Sequence, residues 1–157
     1  MYNELISDFA DRTLRNLDFV QERVRDGEQD LYDVTQLWNS LLGLVVLPLE
    51  TDKKRGNRRI PATPMTELGC QGWPRLTSSG QDNESLHDVV KHLRHAVAHA
   101  NVEFVPRSDG EIISVKIWNE SPSGGHKWTG AATVEELERF VRLLVEMYRA
   151  TFAKRAA

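Results

Sequence analysis

Four stretches of this chain bring apolar side chains back every three or four residues, a period that helices satisfy and strands do not. In the first, Leu5, Ile6, Phe9, Leu17, Val20 and Val24 recur on a charged background, and Gly27 stops the run. The second extends from about residue 31 to 46, with Val34, Leu37, Trp38, Leu41, Leu42 and Val45 inward. Pro48 is expected to end it, because proline lacks the N–H and crowds the carbonyl four residues back. The later half of that helix is apolar nearly all round, which assigns it to the centre of the core. A third helix is expected to start at Asn83 or Ser85, both competent N-caps, and to run to about residue 99 or 100. The fourth opens on a capping box, Thr133 with Glu136, and keeps Val134, Leu137, Val141, Leu144, Tyr148 and Phe152 at helical spacing.

Between the third and fourth helices the period changes. "VEFVP", "RSDG" and "EIISVKIWNE" alternate apolar and polar residues around an Asp-Gly turn, which reads as a β-hairpin, and a third short strand near residues 127 to 129 is compatible with the pattern. Residues 49 to 82 are rich in proline, glycine and basic residues and read as a long loop; a loop of that length in a small protein is usually functional or disordered. The expected fold class is therefore all-α: a four-helix bundle with a small β-hairpin between helices three and four. With 157 residues, the chain is expected to form one domain, 1–157.

Composition narrows the chemistry. A net charge of -3 gives no whole-molecule field for a polyanionic partner, so any nucleic-acid affinity must be local. Cys70 is the only cysteine, which excludes an internal disulfide and every multi-cysteine metal site in this chain. The longest apolar run, Leu41 to Leu49, is broken by Gly43 and Pro48 and falls short of the roughly 20 residues that cross a bilayer. "MYNELISDF" has no basic region of the kind that opens a signal peptide. A cytoplasmic protein without a membrane partner is expected.

The third helix carries the unusual chemistry. On a wheel of about 100° per residue, Leu86, Val89, Val90, Leu93, Ala96, Val97 and Ala100 share one arc, while Asp88, His92, His95 and His99 stack opposite at steps of four, three and four. Arg94 flanks this polar face, about 140° from His99, with His95 between them. Simple amphipathicity would explain such a face. Metal ligation by Asp88, His92, His95 and His99 is a second reading, weakened because neither the first nor the second helix supplies a facing Glu-x-x-His partner. The third reading is nucleolytic. Metal-free RNA cleavage needs an imidazole to take the ribose 2′-hydroxyl proton and a fixed cation for the charge gathering on phosphorus, and histidine and arginine supply these. One such pair does not also protonate the leaving 5′-oxygen; two copies of the chain would supply the missing group.

"RHAVAH", Arg94 to His99, resembles the R-x4-6-H motif of HEPN domains, with His95 at the polar position that follows the arginine. "LYDVTQLWNSLLGLVVLPLE" at 31 to 50, the long loop, and "LRHAVAHANVEF" with its hairpin resemble a plasmid- and mobile-element-associated HEPN subfamily, over about residues 2 to 152. The resemblance implies a four-helix bundle with the motif at the end of the third helix. It implies a metal-independent endoribonuclease, without cofactor, whose site forms across a homodimer. His99 would be general base or acid, Arg94 would hold the scissile phosphate, His95 would orient the pair or the substrate, and the product would carry a 2′,3′-cyclic phosphate. It further implies a toxin or phage-defence role, with a cognate antitoxin as partner, or a non-catalytic module binding RNA or protein.

Other residues add less. "KKRGNRR" offers Lys53, Lys54, Arg55, Arg58 and Arg59 as phosphate contacts, or as a solvated loop. Trp73 could stack on a base, though closing over the core suits it better. Asn101 is expected to cap the third helix, with a reach into the catalytic groove as the alternative. His87 and His126 receive no role, and Glu135–Arg139 and Glu138–Arg142 read as surface pairs at helical spacing.

Overall fold

The computed structural model describes residues 5–28, 31–55, 60–68, 85–120 and 126–152. It contains α1 (Leu5–Arg25), α2 (Asp33–Arg55), α3 (Leu86–Ala98) and α4 (Val134–Phe152), with strands β1 (Val102–Pro106), β2 (Ile112–Glu120) and β3 (His126–Thr133) between α3 and α4. The chain is mostly helical but not all-α. The hairpin gains a full third strand, giving an antiparallel sheet in the order β1-β2-β3. Only a trace of β3 is legible in the sequence because "HKWTGAAT" alternates weakly: Gly130 and Ala132 share the buried face with Trp128 but are too small to mark it as an apolar period.

The helices bury the residues their spacing assigns. α1 turns Ile6, Ala10, Thr13 and Leu17 inward; α4 contributes Leu137, Phe140, Val141, Leu144, Val145 and Tyr148. α1, α2 and α4 pack on one another, and α3 lies between α2 and β2. α1 and α2 approach closely at Gly43, where any Cβ would collide with the Phe9 ring. The capping box of α4 is formed: Thr133 N–H donates to Glu136 Oε2 at 2.8 Å and Glu136 N–H to Thr133 Oγ1 at 3.2 Å.

α2 does not stop at Pro48; it continues to Arg55. A proline inside a helix leaves the carbonyl four residues earlier without its N–H partner, here Leu44, which is fully buried. The Tyr148 hydroxyl of α4 donates to that carbonyl at 2.8 Å, which replaces the missing bond and removes the main reason for the helix to end. The region expected as a loop from 49 is therefore helical at its start. Its middle is also anchored: Ile60 and Met65 are buried, Met65–Leu68 forms a 3-10 turn, and Leu86 N–H donates to the Thr63 carbonyl at 2.9 Å.

Candidate active site at the end of α3

Ser85 starts α3. Its hydroxyl accepts from Asp88 N–H at 3.3 Å and donates to Asp88 Oδ2 at 2.6 Å. That hydrogen bond, aided by His87, holds the Asp88 carboxyl below the usual carboxylate range. Asp88 thus belongs to the cap, where the positive end of the helix favours a carboxylate. One face of the helix buries Leu86, Val89, Val90, Leu93 and Ala96, as the wheel requires. The wheel alone would turn the opposite face to a solvent-filled groove, but the sheet covers its middle. In the β2–β3 register Asn119 stands directly across from Trp128, so both side chains leave the same face and both meet His92. Trp128 stacks on the His92 ring, centroids 5.0 Å apart and planes 10° off parallel. Asn119 Nδ2 lies 2.9 Å from His92 Nδ1 and 3.2 Å from the His92 carbonyl, and Asn119 Oδ1 lies 3.1 Å from His95 Nδ1.

Beyond the edge of the sheet α3 becomes open to water. His95 and His99 are exposed, with ring centroids 4.5 Å apart and planes tilted by 43°. His99 is the C-cap. Ala100 comes next at φ 56, in the left-handed region, and swings off the core arc into solvent. Asn101 N–H then donates to the Ala96 carbonyl at 2.9 Å and Ala100 N–H to the Val97 carbonyl at 3.1 Å, the two bonds of a Schellman stop. Asn101 caps the helix through its backbone, and its carbonyl accepts the Trp118 N–H of β2 at 3.1 Å. The motif helix therefore runs into the sheet without slack.

A family model described as HEPN pEK499 p136 matches residues 1–154. The chain belongs to this family. Neither the curated proteins nor the solved structures give a match. HEPN membership points to ribonuclease-like or nucleotide-related chemistry, and HEPN domains often act as dimers or bind RNA. No helix among the described residues is long and apolar enough to cross a membrane.

On this HEPN chain, Arg94 and His95 lie in the last turn and a half of α3 and His99 caps its end, with Arg94 half-buried and the two histidines exposed. Lys53, Lys54 and Arg55 form the last turn of the α2 backbone, and their side chains lie outside the described residues, as do Arg58, Arg59, Cys70 and Trp73 entirely. Among the described residues, no three His, Cys, Asp or Glu side chains are grouped to share a metal ion. Of the four considered as ligands, Asp88 is turned to its cap and His92 to Asn119 and Trp128. Asn119 is the site residue that composition and helical spacing pass over. Its signal is in the strand alternation: Val115, Ile117 and Asn119 share a face at steps of two, and the first two are core residues. A polar side chain at the third such position demands a hydrogen-bond partner beneath the sheet.

Proposed function

We propose that this HEPN protein is a metal-independent endoribonuclease that works as a homodimer in the cytoplasm, with Arg94 and His99 in the chemistry and His95 as their neighbour. The observation that supports this best is the exposed His95–His99 pair, 4.5 Å between rings, on the helix that also carries Arg94. In the reaction the RNA 2′-oxygen attacks the adjacent phosphorus and the bond from phosphorus to the 5′-oxygen breaks. The 2′-hydroxyl proton leaves to one imidazole, a second imidazole protonates the 5′-oxygen, and the products are a 2′,3′-cyclic phosphate and a 5′-hydroxyl. Two copies of the helix supply the two imidazoles, and the arginine fork stabilises the extra negative charge on the phosphoryl oxygens. Lys53, Lys54, Arg55, Arg58 and Arg59 would hold the RNA backbone with salt-sensitive affinity, with Asn101 at the groove's edge. A toxin or phage-defence role restrained by a cognate antitoxin fits such an activity.

The test is cleavage of a mixed RNA pool in excess EDTA, with light scattering for the dimer. Chelator-resistant cleavage leaving cyclic phosphate ends is expected, falling by about 10²–10⁴ in His99→Ala, the usual worth of a positioned general acid or base, and by a comparable factor in Arg94→Ala. Cleavage that needs added metal, or a dimer that retains RNA without cutting it, would sink the reading; the second result would favour a binding module.

A further inference from the structure

We propose that Asn119 is a positioning residue that locks His92 and His95 in opposite neutral tautomers, so that His95 presents the lone pair of its outer nitrogen, Nε2, beside His99. The side chain is buried, 3% exposed, in an otherwise apolar row of β2. A buried amide must place each of its atoms against a partner of the right kind. The backbone carbonyl of His92 can only accept, so the Asn119 atom 3.2 Å from it is the nitrogen, which orients the whole amide. That nitrogen carries two hydrogens. One serves the carbonyl; the other points to His92 Nδ1 at 2.9 Å, which must carry a lone pair, leaving the proton of neutral His92 on Nε2. The amide oxygen can only accept. His95 Nδ1, 3.1 Å away, therefore carries a hydrogen, and the lone pair of neutral His95 falls on Nε2.

Each part of the clamp is held from outside. The Asn119 backbone is paired with β3 opposite Trp128, and Trp128 lies flat against the His92 ring, so the strand register and the stack hold the amide and that imidazole against one another. His95 is exposed, and a neutral histidine in water prefers its proton on Nε2; Asn119 enforces the other form. On the ribonuclease reading, on which the catalytic consequence rests, a fixed acceptor then stands beside the histidine that exchanges protons with the RNA. The orientation of one imidazole is set by the hydrogen bond on its other nitrogen.

Nitrogen-15 NMR of the full chain with labelled histidine, in mildly alkaline buffer without RNA, reads both tautomers directly. The expected wild-type pattern is a proton on His92 Nε2 and on His95 Nδ1. In Asn119→Asp the carboxylate only accepts, so His92 Nδ1 should gain a proton while His95 keeps its own. In Asn119→Ala, His95 should revert to the Nε2–H form, and kcat for RNA should fall by about 10–100-fold with KM little changed, the scale of a misplaced catalytic group. A simple loss of packing would lower thermal stability without moving the His92 proton in Asn119→Asp. Should Asn119→Ala fail to fold, the wild-type and Asn119→Asp spectra still decide the matter. His95 found as Nε2–H in the wild type, or unchanged in a folded Asn119→Ala variant, overturns the proposal. The tautomers as stated with no chelator-resistant cleavage would overturn the ribonuclease reading and leave the clamp standing; cleavage with the wrong tautomers would do the reverse.

Discussion

α1 and α3 end in the same way with different residues. At α1, Glu28 N–H donates to the Arg23 carbonyl at 3.1 Å and Gly27 N–H to the Val24 carbonyl at 3.0 Å; at α3 the corresponding bonds come from Asn101 and Ala100. Both turns need a left-handed residue, Gly27 at φ 91 and Ala100 at φ 56. For glycine that region carries no steric cost, whereas for alanine it costs roughly 1–2 kcal/mol. Where the two ends part is in the chain beyond the turn. Past Gly27 no strand follows, the next element being α2, and the residue after the turn, Glu28, is exposed and paired with Arg23. Past Ala100 it enters β1 at once, where Asn101 receives the Trp118 N–H and Val102 pairs with Ile117, so the sheet holds the turn whatever residue occupies it. A helix end with no strand directly after it must be written into its own residue; one tied into a sheet can tolerate strain, and here the strain sits next to His99.

α2 tests the comparison hardest, because it carries a stop signal at Pro48 and does not stop. If Tyr148 is what lets it continue, Tyr148→Phe leaves the buried Leu44 carbonyl unpaired and should cost about 2 kcal/mol in urea unfolding. In a Pro48→Ala background residue 48 has its own N–H for that carbonyl, and the same change should cost under about 0.5 kcal/mol. An equal cost in both backgrounds would mean that the hydroxyl serves only itself. Smaller effects are expected from exchanging the two stop residues. Ala100→Gly relieves the left-handed strain but adds unfolded-state entropy worth about 0.4–1 kcal/mol, a net gain of about 0.5–1 kcal/mol. Gly27→Ala should lose a similar amount, since no heavy atom lies within 4 Å of the added Cβ and only the backbone is strained. Thermal unfolding of both variants checks the pair; opposite shifts of about 2 °C are expected. A destabilised Ala100→Gly would show that the turn at α3 is unstrained.

The same contrast explains what can be read from the sequence. Gly27, Ser85 and the Thr133–Glu136 box are local devices, complete within a few residues, and each marks its helix end as written. The apolar arc of α3 is legible through Ala96 and fails at Ala100, because that residue's position is decided by β1. Pro48 misleads for the same reason: its effect is cancelled by Tyr148, about one hundred residues away in the chain. The Arg94–His99 motif stands out by spacing alone, yet Asn119 does not, since only the strand register brings it and Trp128 together over His92. The pairing of Glu138 with Arg142 is visible as an i, i+4 step, whereas the reach of Arg142 to Asp18 and Gln21 on α1 is not.

The smallest effect is expected where α1 ends. Arg23 Nη1 lies 2.8 Å from Glu28 Oε1, but both side chains are about half exposed, and such pairs are usually worth about 0.2–1 kcal/mol before salt. Arg23 also lies over the Phe19 ring, 5.3 Å from its centroid, so losing the carboxylate does not release it fully. Glu28→Gln should therefore cost under about 0.5 kcal/mol at low ionic strength and nothing measurable near 1 M salt, where charges are screened within about 3 Å. A cost above about 1 kcal/mol that persists at high salt would mean that side chains hold the end of α1 as firmly as the sheet holds that of α3. The choice of glycine at 27 and alanine at 100 would then need another cause than the presence or absence of a strand beyond the turn.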